Sequence, residues 1–147
     1  MRTPLLLPLS LVLVLPVLGC AAQESSRVFD ESYRVAHPVG AYEHEFFGEA
    51  DVVYTVDDVS FSGDGRADFT LEVEVPDLGR VLGFGEFETV CEAGGAETAA
   101  EGEITLGETE AGSYAFPMEC DVAPGSEELR IVVRHDGEEM VFTGPVG

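Results

Sequence analysis

Three features of the chain predict an all-β fold arranged as an antiparallel sandwich of about seven strands: apolar residues alternating at period two, turn residues between the alternating runs, and no sustained helical period. In the clearest run, Ala67, Phe69, Leu71, Val73 and Val75 share one phase, while Asp68, Thr70, Glu72 and Glu74 occupy the other. Successive side chains of a strand point to opposite faces, so this run buries one face and wets the other.

The remaining elements follow in chain order. Residues 52–61 read as a strand, and Ser62-Gly63-Asp64-Gly65 turns the chain into the run at 67–75. Pro76-Asp77-Leu78-Gly79 ends that run, and residues 81–91 read as the next strand, closed by Gly94-Gly95. A short strand is expected at 103–106. Tyr114, Phe116, Met118, Cys120 and Val122 alternate again up to Ala123-Pro124-Gly125, and Leu129, Ile131, Val133 and His135 do so with Arg130 and Arg134 outward. Asp136-Gly137 between two such runs is a tight-hairpin signal that joins this strand to one at 140–143.

The N-terminus reads as an address. Arg2 precedes an apolar stretch from Pro4 to Leu18, which has the length of a signal-peptide core and is short for a membrane span. Val17-Leu18-Gly19-Cys20 then resembles the lipobox of bacterial lipoproteins, with Cys20 as the acylated residue. An ordinary secretory signal with a chance cysteine is the alternative, and export holds under both readings. Residues 1–19 are read as the leader, 20–42 as a lipid-attached flexible tether, and 43–147 as the sandwich domain. A tether of that length has a root-mean-square reach of about 25 Å.

The cysteine count agrees. With three cysteines in the chain, giving Cys20 to lipid leaves Cys91 and Cys120 to pair. Outside the cytoplasm such a pair is expected to be oxidised, and the alternative is two buried thiols. Cys120 lies in the apolar phase of its strand and Cys91 shares phase with Phe87, so both sulfurs point between the sheets. No Trp is present to pack on a bridge as in antibody domains.

Composition excludes some partners. All 29 acidic residues follow Cys20, and the seven basic residues are all arginine; losing Arg2 with the leader takes the formal charge from −22 to −23. Nucleic acid needs a positive footprint and is excluded, and anionic headgroups would repel the domain. The acidity suits solubility in a salty medium, or attracts cations and basic partners. The glutamate-rich stretch 92–110 admits the same two readings, a solvated loop or a basic-partner patch.

Across most of the exported part the sequence resembles small immunoglobulin-like domains of unknown function found in Gram-positive, actinobacterial-type lipoproteins and secreted antigens. The likeness lies in Phe47-Gly48-Glu49-Ala50 before Val53-Tyr54-Thr55-Val56, and in Phe69-Thr70-Leu71-Glu72-Val73-Glu74-Val75. It continues through Glu110-Ala111-Gly112 into Tyr114-Ala115-Phe116-Pro117-Met118 and the strand at 129–133. Pro76-Asp77 replaces an Asn that often ends the second of these strands. The resemblance implies an extracellular immunoglobulin-like sandwich with no catalytic residues common to the family.

Two side-chain groups invite chemistry. Ser62-Gly63-Asp64-Gly65-Arg66-Ala67-Asp68 resembles half of the calcium loop of FG-GAP and dockerin-like repeats, with Ser62 in place of the first Asp. Calcium needs six to eight oxygens, so Asp57 and Asp58 would join Asp64 and Asp68; the alternative is a plain hairpin turn. His37, His44 and His135 are candidate zinc or copper ligands, His44 standing between Glu43 and Glu45. Adjacent residues of an extended segment face opposite ways, so the three are not expected to converge. The chain has no Gly-x-Ser-x-Gly elbow and no His-Glu-x-x-His helix motif.

The expectation is therefore a lipid-anchored, disulfide-bonded, non-enzymatic protein of the cell envelope that binds an envelope protein or small ligand or serves a structural interaction there. The competing readings are a calcium-binding module and an accessory subunit of an envelope enzyme or transporter.

Overall fold

The computed structural model describes residues 26–40, 48–79, 82–83, 87–104 and 108–147. Residues 1–19, read above as a leader, together with Cys20 and His44, lie outside these residues. Twelve strands occur among them, in chain order β1 (Arg27–Val28), β2 (Ser32–Pro38), β3 (Glu49–Ser62), β4 (Arg66–Val75), β5 (Leu82–Gly83) and β6 (Phe87–Ala93). Then come β7 (Ala96–Ala99), β8 (Glu101–Gly102), β9 (Glu108–Thr109), β10 (Gly112–Asp121), β11 (Glu128–His135) and β12 (Glu138–Pro145).

Ten of these form two five-stranded sheets, β1-β12-β11-β6-β7 and β2-β3-β4-β10-β8, and β5 pairs with β9 apart from them. The alternation in the sequence decides what lies between the sheets. Ala67, Phe69, Leu71, Val73 and Val75 of β4 are buried together with Phe116, Met118 and Cys120 of β10, and Leu129, Ile131 and Val133 of β11 meet them from the other sheet. Asp68, Glu72 and Glu74 are exposed, as the phase requires.

The turns follow their residues. Asp136 and Gly137 have φ of 50° and 82°, and His135 pairs with Glu138, which defines a two-residue hairpin whose central residues are both left-handed. Gly94 and Gly95 do the same between β6 and β7. In β3 the register against β4 slips between Asp57 and Ser60, with Asp58 at φ 54°. The extra residue is a β-bulge, and it switches the inward phase from Val52, Tyr54 and Val56 to Val59 and Phe61.

Four expectations change. The stretch read as a tether supplies β1 and β2: Tyr33, Val35 and His37 face inward between Arg34 and Ala36, a run too short and too polar to stand out. The domain therefore includes residues well before 43. Residues 81–91 do not make one strand, because β5 turns to pair with β9 while β6 joins the other sheet. The strand expected at 103–106 sits earlier, as β8, and residues 105–107 lie outside the described part. At Gly102 a Cβ would lie 2.8 Å from the Pro117 carbonyl oxygen, so only glycine lets the chain approach β10 there. The number of strands exceeds seven because two-residue strands are held by backbone pairing and carry no readable period.

Cys91 of β6 and Cys120 of β10 form a disulfide, with both residues buried and their Cα atoms 6.4 Å apart. The bridge ties one sheet to the other across the interior, as the phase of each cysteine requires. Closing a 29-residue separation restricts the unfolded chain and stabilises the fold by about 3–4 kcal/mol on the loop-entropy account. Replacing both cysteines by alanine should lower the unfolding free energy by about that much. Urea denaturation of the two proteins measures it, and equal midpoints would refute the account.

Candidate functional site

The four aspartates proposed for calcium do not assemble. Asp57 ends the regular part of β3 on its outer face, and its carboxylate accepts the Asp58 N–H at 2.7 Å. Asp64 lies in the β3–β4 hairpin, where it accepts the Ser62 hydroxyl. That hydroxyl, then the Asp64 backbone N–H and the Arg66 charge, holds the Asp64 carboxyl below its ordinary range against a smaller opposing effect of burial. Asp68 faces outward from β4 opposite Glu119. Among the described residues no group of three or more His, Cys, Asp or Glu has an arrangement able to hold a metal. The segment from Ser62 to Asp68 forms the β3–β4 hairpin and the start of β4.

Asp57 and Asp58 instead meet Asp30, which the sequence did not single out. The corner between β1 and β2 folds over β3, and the Asp30 N–H donates to the Val56 carbonyl at 2.9 Å. The Asp30 carboxyl is pushed above its ordinary range, first by its hydrogen bond with Asp57, then by a desolvation contribution at this exposed site and by the charges of Asp57 and Asp58. No local pattern announces this pairing, because it joins residues 27 positions apart.

The histidines also depart from expectation. His37 of β2 and His135 of β11 are both buried, and their rings approach to 6.2 Å across the interior. Phe87 packs edge-on against His135 with centroids 5.6 Å apart. Tyr54 Oη and His135 Nδ1 are hydrogen-bonded at 2.6 Å, both buried. His135 Nε2 lies 3.7 Å from the Asp136 carboxylate, which favours a proton on Nε2 and leaves Nδ1 to accept the tyrosine hydroxyl. Burial, and then the Asp136 charge, raises the Tyr54 phenol above its ordinary range, consistent with its role as donor. The arrangement links the two sheets by a polar contact at the pole where β11 ends.

Several concave surfaces occur among the described residues. On the outer face of β2, β3, β4 and β10 a shallow hollow of about 450 Å³ is lined by small and acidic residues, including Ser32, Thr55, Glu72, Glu74 and Ser113. At the pole where β11 begins, a bowl of about 350 Å³ lies between the β3–β4 hairpin, the β10–β11 loop and Val146. Phe61, Val122, Ala123, Pro124 and Val146 form its apolar wall, and Ser62, Asp64 and Arg66 stand among its lining residues. Arg66 is engaged by Glu119 at 3.1 Å. The sequence marked Asp64 in this bowl, whereas Phe61 and Val146 reach it only because the hairpin and the chain's last strand meet at one end of the sandwich.

The outer face of the other sheet is of a different kind. Val90, Val132 and Val141 are cross-strand neighbours there and are buried. Ion pairs bracket them: Arg130 with Glu92 at 2.7 Å, and Arg134 with Glu139 and Glu88 at 2.9 and 3.0 Å.

Fold and surfaces together define an all-β, two-sheet sandwich stapled by one inter-sheet disulfide. No protein-family model, curated protein or solved structure matches the chain.

Replacing Tyr54 by Phe should cost about 1–3 kcal/mol, because His135 Nδ1 is then buried without its partner. Part of the loss should return in Tyr54→Phe/His135→Phe, and a single variant as stable as wild type would show that the contact contributes nothing. At the acidic corner the sign is fixed by the upward shift of Asp30. Its stabilising contribution is full below the unfolded carboxylate pKa and is lost as pH rises through the folded value. Asp57→Asn should therefore raise the melting temperature near pH 7 and flatten its fall as pH rises above the ordinary carboxylate range, as thermal scans from acidic to neutral pH would register.

Proposed function

We propose that this protein is a lipid-anchored component of the cell envelope whose immunoglobulin-like sandwich binds a partner or serves a structural interaction without catalysis. One observation carries the reading. With Cys91 and Cys120 joined, Cys20 is the one cysteine left of three, and it directly follows an apolar leader in Val17-Leu18-Gly19-Cys20. A buried disulfide suits an oxidising compartment, and diacylation of Cys20 would supply the paired chains that lasting attachment requires.

Strand order supports the immunoglobulin-like assignment. β3-β4-β10-β8 facing β12-β11-β6-β7 follows the A-B-E-D and G-F-C-C′ orders of that fold. The bridge departs from it, joining the strands that correspond to C and E, where antibody domains join B and F. In Tyr114, near the start of β10, the hydroxyl donates to the Glu110 carbonyl at 2.9 Å, a local contact similar in kind to the tyrosine corner.

A binding role without catalysis rests on the character of the surfaces. The paired His and Tyr are buried in the core, and the open concavities are lined by small, acidic or apolar residues. Intact-mass analysis of protein taken from membranes tests the anchor. The expected species lacks residues 1–19 and carries a diacylglyceryl group on Cys20, and Cys20→Ser should leave the membrane fraction or persist as uncut precursor. A full-length, unmodified chain in the cytosol would overturn the proposal.

A further inference from the structure

The bowl at the pole of the sandwich has the features of a small-ligand site. Its volume of about 350 Å³ falls within the range of small-molecule pockets. Apolar side chains from three separate parts of the chain converge on it: Phe61 from β3, Val122 and Pro124 from the loop after β10, and Val146 from beyond β12. A Cβ built at Gly63 or at Gly125 would meet nothing within 4 Å, so the backbone at the mouth borders free space.

Two charged side chains, Asp64 and Arg66, line the bowl. The Arg66 guanidinium is turned to Glu119 on β10. Asp64 has an oriented carboxylate, anchored by the Ser62 hydroxyl, whose Oγ also lies 3.1 Å from the Arg66 carbonyl and so is fixed to the hairpin. An apolar wall with one positioned anion at its edge is complementary to an apolar body that carries one positive charge.

We infer that the bowl binds a small organic amine, a compact hydrophobic group bearing an ammonium that pairs with Asp64. The inference gives a ligand class to the binding role proposed above and rests on that role, but it does not depend on the lipid anchor. The hydrophobic group would lie against Phe61, Val122 and Val146, and the ammonium would donate to the Asp64 carboxylate. Desolvation of the apolar body supplies most of the affinity, and the charge pair supplies selectivity against anions of the same shape.

The test uses the full chain purified in detergent from whole-cell extract and saturation-transfer NMR with phenethylamine and with 3-phenylpropionate, which share a ring and differ in charge. Intact mass of the same preparation reports the anchor separately. Phenethylamine should give a saturable signal with a dissociation constant on the order of 1 mM, and 3-phenylpropionate none. Asp64→Asn and Phe61→Ala should each weaken the amine at least about fivefold, the cost of one modest contact. Glu74→Gln, on the outer face of β4, should leave it unchanged, which separates the bowl from general attraction to an acidic protein. Equal binding of acid and amine, no saturable signal from either, or an Asp64→Asn protein that binds as wild type would overturn the inference. Asp64 is exposed, so its variant decides the matter even if Phe61→Ala does not fold.

Discussion

The Cys91–Cys120 bridge crosses the layer of side chains on which the rest of the fold depends. A formal charge of −22 opposes compaction through self-repulsion. Hydrophobic burial between the sheets supplies the opposing force, and the covalent tie reduces the conformational freedom that the unfolded chain would regain. β6 and β10 each lie one strand in from an edge of their sheets, so the tie acts on strands paired on both sides and not on a fraying edge.

The few cations are placed with corresponding economy. Arg130 and Arg134 on β11 sit opposite Glu92, Glu88 and Glu139 in the strand register, and Arg66 reaches Glu119 on the strand beside its own. Arg27 lies over the Tyr33 ring at 5.5 Å and joins the edge strand β1 to β2 of the other sheet. Each exposed pair contributes at most about 1 kcal/mol, so their main effect is to offset like-charge repulsion across neighbouring strands.

The two poles of the sandwich divide polar duties. Where β11 ends, Tyr54, His135 and His37 are enclosed, and their polarity is spent on joining the sheets. Where β11 begins, the turns leave an open bowl with a carboxylate among its lining residues. A histidine that looks chemically promising in one dimension thus belongs to the core, and an aspartate suggested by a calcium-like loop becomes part of a concave surface of another character.

Local chemistry was legible in the sequence wherever it repeats along one strand. The alternating phases of β4, β10 and β11, the Asp136-Gly137 hairpin and the inward aim of both cysteines depend only on period and on turn conformation, which neighbouring residues determine. What the tertiary structure decided was every association across distance. The bulge that switches β3 from Val56 to Phe61, the docking of β2, the meeting of Asp30 with Asp57 and of His37 with His135, and the convergence of Phe61 with Val146 arise from strand pairing and sheet packing between remote segments. A single chain carries no signal for such pairings until backbone hydrogen bonds set the register and burial selects which faces meet.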